Sequence, residues 1–323
     1  MLATFIRGLF AKRQRDTAEL RRRAHEAFER GRFDDARDLT RRALQHSPRD
    51  AELVAQLGWC VMRLGQREEA TRLAHAALAI DEDALSAHML LGEIELPGEN
   101  YLSLLERIHG LLEPQTYVEV GVAEGKSLRL VGPRTAAIGV DPAPKIDVAL
   151  PANARVFRET SDEFFARRDL ETELGGKPVE LAFIDGMHLF EFALRDFINL
   201  ERHCAPDAAI LIHDCYPLDA PTSARERRTQ FWAGDVWRIV VALRKYRPDL
   251  TVRTLDSAPS GLGVVTRLDP ASSVLVDRYD EIVAELMALD YAAIAARKAE
   301  WLNLMPAEWA GVSGMLREAR RSD

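Results

Sequence analysis

Cysteine is scarce in this chain, with three in 323 residues. Cys60, Cys204 and Cys215 have no metal-ligand spacing. They are too few for a disulfide framework, so a reducing, cytoplasmic setting is expected. Aromatic residues make up only 7%. No apolar run is long enough to span a bilayer, which excludes a helical membrane protein. Excess positive charge is also missing, since the formal net charge is −8, and this argues against broad nucleic-acid binding. The charge is unevenly placed, with residues 1–47 carrying +5 and the remainder −13. The first ten residues are too interrupted for a signal peptide. They do set Leu2, Phe5, Ile6 and Leu9 on one helical face near Arg7, Lys12, Arg13 and Arg15. That pattern leaves two readings for residues 1–16, a helix packed on its neighbour or contact with a membrane surface, with packing the expectation.

What is present falls into two rhythms. Residues 17–97 read as helix only, with a 34-residue repeat: Gly31 and Gly65, Ala36 and Ala70, Ala43 and Ala77, Leu44 and Leu78, Leu57-Gly58 and Leu91-Gly92. Small residues at fixed spacing let paired helices approach closely. The segment resembles tetratricopeptide repeats over two units plus the first helix of a third, although Val54 and Glu82 stand where that family often has Trp and Pro. So short an array is expected to lean on another domain or subunit, or to dock a protein partner or build a homo-oligomer. Pro97-Gly98 breaks the third unit.

After a helix over Tyr101–Leu112 the pattern alternates strand and helix, which predicts an α/β domain over residues 98–270 with a mostly parallel, Rossmann-like sheet. Seven strands are expected: Tyr117–Val122, Ala136–Asp141, Ala154–Glu159, Val179–Asp185, Ala208–Asp214, Leu250–Asp256 and Gly261–Leu268. Helices are expected over Glu124–Val131, Ser161–Leu174, Leu189–Cys204 and Gly234–Tyr246. Residues 271–323 form a C-terminal helical extension, with Ser272–Asn303 amphipathic and Tyr279, Ile282, Leu286, Leu289 and Ile294 as its core positions.

Two apolar runs end in polar groups. Val179–Ile184 delivers Asp185, Gly186 and His188, and Ala208–Ile212 delivers His213 and Asp214. Ligands bind at such carboxyl edges in open α/β sheets. The first strand runs into Val118-Glu119-Val-Gly121-Val-Ala-Glu-Gly125-Lys-Ser127. A phosphate-binding Walker loop needs four residues between its first Gly and the Gly-Lys-Ser, and only three lie between Gly121 and Gly125. A Gly-x-Gly-x-x-Gly dinucleotide turn meets Ala123 and Lys126 instead.

Residues 117–268 are similar to bacterial class I methyltransferases. The resemblance rests on Phe183-Ile-Asp-Gly-Met-His188, Phe190-Glu191, Arg195-Asp196, Ile212-His-Asp214, Gly234-Asp-Val-Trp237 and Gly261-Leu-Gly-Val264. Within that class it is closest to the metal-dependent sugar O-methyltransferases and cephalosporin-hydroxylase-like enzymes. It implies S-adenosylmethionine as cofactor, held by Glu119, Gly121, Gly125 and Ser127 around the turn, with Ala123 replacing the middle glycine of the family. It implies that Asp141 takes the ribose hydroxyls, that Ser161-Asp162 lie near the adenine, and that Asp185 borders the same pocket. His188 is the candidate general base for a hydroxyl of a sugar, glycan or small metabolite. Asp185 and Asp214 offer oxygen ligands to Mg²⁺ or another divalent cation, with His213 where relatives carry a carboxylate. Two alternatives stand beside this. One is a protein methyltransferase recruiting substrate through the repeats, though no Asn/Asp-Pro-Pro-Tyr-like motif for amide nitrogen follows the fourth strand. The other is a non-catalytic repeat protein. The basic run Arg225–Arg228 either meets an acidic substrate or is solvated charge, and Trp237 is expected to pack its helix.

Overall fold

A computed structural model describes residues 2–320, with side chains from residue 13. The side chains of the expected amphipathic face at Leu2, Phe5, Ile6 and Leu9 therefore lie outside the described ones. No described helix is long and apolar enough to cross a membrane.

The chain clusters into two units. The first ends at Glu95 and takes in Arg228–Trp232. It contains α1 (Leu2–Glu29), α2 (Phe33–His46), α3 (Ala51–Arg63), α4 (Arg67–Ile80) and α5 (Leu85–Glu95). The 34-residue repeat has a physical origin here. Gly31 and Gly65 end α1 and α3 at φ +71° and +80°, the left-handed conformation that glycine adopts without a Cβ penalty. Ala36, Ala43, Ala70 and Ala77 are fully buried where helices meet. A Cβ on Gly58 would lie 2.5 Å from Leu90 Cδ2, so α3 and α5 touch there only because the residue is glycine. α1 runs unbroken through the expected boundary at residue 16.

The second unit holds Leu96–Arg227 and the chain from Ala233 onward. After α6 (Tyr101–Leu112) come β1 (Thr116–Val120), β2 (Ala136–Val140), β3 (Ala154–Phe157), α7 (Ser161–Arg167), α8 (Leu170–Glu173) and β4 (Val179–Ile184). There follow α9 (Phe190–Glu201), β5 (Cys204–Ile212), α10 (Arg238–Tyr246), β6 (Thr251–Leu255) and β7 (Leu262–Thr266). The sheet order is β3-β2-β1-β4-β5-β7-β6-β8. All pairs are parallel except those of β7, which is antiparallel to β5 and β6. The order reverses between β1 and β4, which opens a crevice at their carboxyl ends. Apolar residues of both sheet faces form two cores, one against α9 and α10 and one against α6.

Four expectations are corrected, the first being the helix over Ser161–Leu174, which is two helices, α7 and α8, parted by extended backbone at Arg168 and Asp169. The sheet has eight strands, because Leu304–Met305 adds β8 beside β6. The helix expected over Glu124–Val131 is only a 3-10 turn at Leu128–Leu130. Ala123 at φ +45° and Gly125 at φ +80° are left-handed, and Gly132-Pro133 stops the chain beyond. The amphipathic stretch after Ser272 breaks into α11 (Val274–Asp277), α12 (Tyr279–Met287), α13 (Tyr291–Ala295) and α14 (Lys298–Trp301), ahead of α15 (Trp309–Ala319). Its core positions still pack as expected, with Ile282, Leu286 and Ile294 buried and Tyr279 and Leu289 against them.

Candidate active site

β1 and β4 converge on a contact that only glycine permits. A Cβ on Gly121 would sit 1.9 Å from the Asp185 carbonyl oxygen. Gly121 therefore lets the turn lie flush against the end of β4, at φ +89°. The turn is then tied down by Asp141. Its Oδ2 accepts from the amides of Val122 (3.0 Å) and Ala123 (2.9 Å), and its Oδ1 from Ala143 (2.7 Å). A carboxylate offers about four acceptor positions, so roughly one remains for a ligand. Ala123 is itself left-handed, at a cost of roughly 1–2 kcal/mol.

Glu119 lies beneath this turn and is fully buried. Its oxygens accept from Tyr117 Oη (2.6 Å) and Ser127 Oγ (2.8 Å). Burial pushes its carboxyl up to about 8, against the pull of those two hydroxyls. Glu119 and Ser127 thus staple β1 to the segment after the turn. A Cβ on Gly125 would meet Leu150 at 3.1 Å and Ile146 and Val148 at 3.4 Å. The Ser161-Asp162 pair starts α7, with Thr160 as the capping residue. Asp162 is held by Arg195 in a two-pronged pair of 2.9 and 2.7 Å.

The four strand-end groups come together. His188 Nδ1 is 2.7 Å from Asp214 Oδ2, and His188 Nε2 is 3.6 Å from Asp185 Oδ1. His213 Nδ1 lies 3.3 Å from Asp185 Oδ1 and 3.3 Å from Asp214 Oδ1. Asp185, His188 and Asp214 offer ligand atoms all within 4.8 Å of one another. The space these groups border is only about 10 Å³, the size of one water or ion. Burial disfavours the His188 imidazolium, but Asp214 and then Asp185 outweigh it and raise the group to about 9. The same carboxylates lift His213 well above its ordinary range despite its burial. Asp214 is held far below the carboxylate range by the two imidazoles, which outweigh its own burial.

His188 and Asp214 are both left-handed, at φ +56° and +60°. Non-glycine residues there are strained, and such residues cluster at functional sites. The His188 turn is braced from below. A Cβ on Gly234 would lie 1.8 Å from the His188 carbonyl oxygen, and the Asp235 amide donates to that oxygen at 3.2 Å. Fully buried Asp235 also accepts from the Phe190 amide (2.7 Å), Arg225 (2.7 Å) and Arg238 (2.8 Å). Arg225 is thereby an internal clamp, paired as well with Glu191 at 2.6 Å. The C-terminal helices complete the brace. Lys298 Nζ donates to the carbonyls of Pro217 and Leu218, both at 3.1 Å, and Tyr291 Oη donates to that of Leu218 at 2.8 Å. Trp237 is fully buried in the core, as its sequence context implies.

Two residues at the site carry no strand-end signal. Asp196 on α9 borders the same space as Asp185, Gly186 and His188, and its buried Oδ1 has no hydrogen-bond partner. Burial pushes its carboxyl up to about 7, against a lowering hydrogen bond from Ser161. Its place beside Arg195 in the family-like motif was the available signal. Tyr101, the first residue of α6, lies with its ring centroid 4.3 Å from that of His213.

The family described as "Methyltransferase domain" matches residues 118–215, and a tetratricopeptide repeat family matches residues 27–94. No curated protein matches the sequence. Among solved structures, the O-methyltransferase TomG from Streptomyces achromogenes, in complex with SAM, is 14% identical. That alignment covers 62% of this chain and 89% of that one, with a TM-score of 0.41. The cofactor-bound Rv0187 from MTB is 17% identical over 62% of this chain and 97% of that one, with a TM-score of 0.42. The SAH-bound methyltransferase PaMTH1 from Podospora anserina is 13% identical over 52% of this chain and 78% of that one, at 0.40. The repeat helices thus fall where the chain matches tetratricopeptide repeats, and the reversed strand order with its glycine turn falls where it matches a methyltransferase domain.

Proposed function

We propose that the protein transfers the methyl group of S-adenosylmethionine to a hydroxyl of a sugar, glycan or small metabolite. The observation that carries this reading is the convergence of Asp185, His188, His213 and Asp214 at the carboxyl ends of β4 and β5, directly against the Gly121 turn. The turn and the spare acceptor position of Asp141 suit the amino-acid and ribose ends of the cofactor. Methyl transfer to oxygen is an in-line displacement, so the protein's part is to align acceptor and donor and to remove the hydroxyl proton. His188 would take that proton, with Asp214 against Nδ1 so that Nε2 is the working nitrogen. Asp185 neighbours that nitrogen and orients whatever binds there.

The same cluster fits a divalent cation. Its ion-sized space, its two carboxylates and the His213 imidazole against both of them are a donor set that one would satisfy. Asp185 and Asp214 would hold it with His213 beside them, which leaves His188 to act as the base. Mixed imidazole and carboxylate donors suit Mn²⁺ or Zn²⁺ at least as well as Mg²⁺. Such an ion would acidify a coordinated hydroxyl.

One observation favours a polypeptide acceptor as a second reading. The repeat unit carries a cavity of about 580 Å³ bordered by Arg21, His25, Phe28, Gln56 and Trp59. Tetratricopeptide repeats suit contact with a protein, and a chain docked there would be the substrate or its carrier. The deciding experiment supplies labelled S-adenosylmethionine with glycan, small-alcohol and protein acceptors. Label in a base-stable ether on a small acceptor supports the first reading. Transfer confined to protein side chains would overturn it.

A further inference from the structure

Tyr101 belongs to neither the strand ends nor the glycine turn, yet the backbone delivers it to the site. The Gly98 amide donates to the Asp256 carbonyl at 2.9 Å, and Ser257 Oγ donates to the Glu99 carbonyl at 2.6 Å. A Cβ on Gly98 would lie 2.3 Å from Asp256 Oδ1, so the chain can pass this close only as glycine. Asn100 then caps α6 by accepting from the Leu102 amide at 2.9 Å. These contacts fix the first residue of the helix over the ends of β4 and β5. The Tyr101 ring is 4.3 Å from the His213 ring, tilted by 46°, and 6.4 Å from Phe183, near parallel at 24°. Burial disfavours its phenolate, and the charges of Asp185, Asp214, Glu119 and Glu124 add to that. Glu124 belongs to the glycine turn and the two aspartates to the strand ends, so negative charge from both halves of the cleft bears on the phenol.

Resting on the cofactor reading above, we propose that Tyr101 closes the donor end of the cleft and binds the sulfonium group of S-adenosylmethionine, favouring it over the uncharged thioether of S-adenosylhomocysteine. An aromatic ring and a hydroxyl oxygen set among carboxylates form a place for a cation. The product has lost that charge, so the same wall would help release it after transfer. Tyr101 acts on cofactor charge, whereas His188 acts on the acceptor proton.

Isothermal titration of both ligands against wild type, Tyr101→Phe and Tyr101→Ala tests this. Tyr101→Ala should weaken S-adenosylmethionine about tenfold, the size of a partly desolvated cation–aromatic contact, and leave S-adenosylhomocysteine within about twofold. Tyr101→Phe, which keeps the ring on His213, should fall between. Equal loss for both ligands would mean that Tyr101 only supports His213, and unchanged affinity for both would mean that it faces neither; each overturns the proposal. Wild type binding neither ligand would overturn the cofactor reading first and this proposal with it.

Discussion

The protonation of His188 offers the sharpest test of the site. With Asp214 at 2.7 Å and Asp185 at 3.6 Å, the imidazole is raised to about 9, although burial alone would lower it. At pH 7.5 only about 3% of the side chain would be neutral, against about 90% for an ordinary histidine near 6.5. A base that must be neutral to accept a proton is thus silenced roughly thirtyfold until positive charge enters the cluster. The sulfonium of the cofactor or a divalent cation on Asp185 and Asp214 would supply that charge and push the imidazole back down. In chelated, cofactor-free protein the His188 Cε1–H resonance, assigned by its loss in His188→Gln, should titrate with a midpoint near 9. Asp214→Asn should lower the midpoint by more than one unit, and added Zn²⁺ should lower it as well. The linkage has a definite sign. A group raised on folding stabilises the native state fully below its unfolded value near 6.5, and this contribution is lost as pH climbs towards 9. The melting temperature of the chelated protein should therefore fall across that window, and should fall less in His188→Gln. A midpoint at or below 7 in chelated protein would refute the charge reasoning.

Two further outcomes follow from the turn. Asp141→Ala removes the acceptor for three backbone amides, so calorimetric affinity for S-adenosylhomocysteine should drop at least about tenfold while far-ultraviolet circular dichroism stays unchanged; affinity within threefold of wild type would dissociate Asp141 from the cofactor. Gly121→Ala drives a methyl into the Asp185 carbonyl at a left-handed position, costing about 3 kcal/mol or more and about 6–12 °C in melting temperature. Gly110→Ala, inside α6 with open space around it, should instead stabilise by up to about 1 kcal/mol, and equal effects of the two substitutions would refute the packing account.

Much of this was legible in the chain because parallel strands buried on both faces read as apolar runs, and their polar ends stand out. Val179–Ile184 followed by Asp185, and Ala208–Ile212 followed by His213-Asp214, announced the strands and the sheet edge at which they end. The repeat was legible because Gly31 and Gly65 answer the same backbone demand. What escaped depends on backbone sign and on distance along the chain. Nothing in Val122-Ala-Glu-Gly125 shows that Ala123 is left-handed, so helical pattern over Glu124–Val131 read as helix. Tyr101 reaches His213 from 112 positions away through Gly98 and Asp256, a route no local periodicity encodes. Arg225 looked like one charge in a basic run, and only folding brings Glu191 and Asp235 to it.

The strained residues explain why the C-terminal helices accompany this sheet. Ala123, His188 and Asp214 are all left-handed, and they follow the carboxyl ends of β1, β4 and β5. At roughly 1–2 kcal/mol each, their combined cost is a sizeable share of a domain's net stability, so each must be held by contacts that a relaxed backbone would break. Asp141 holds Ala123, and the Asp235 amide with Gly234 holds His188. Asp235 depends in turn on Arg225 and on Arg238, whose guanidinium donates to the carbonyls of Leu286 and Leu289 at 2.8 and 2.7 Å. The end of α12 is therefore wired through two buried charges to the backbone of the proposed base. On this account the extension after Thr266 maintains a constrained site, and the precision of His188 is set by residues a hundred positions downstream of it.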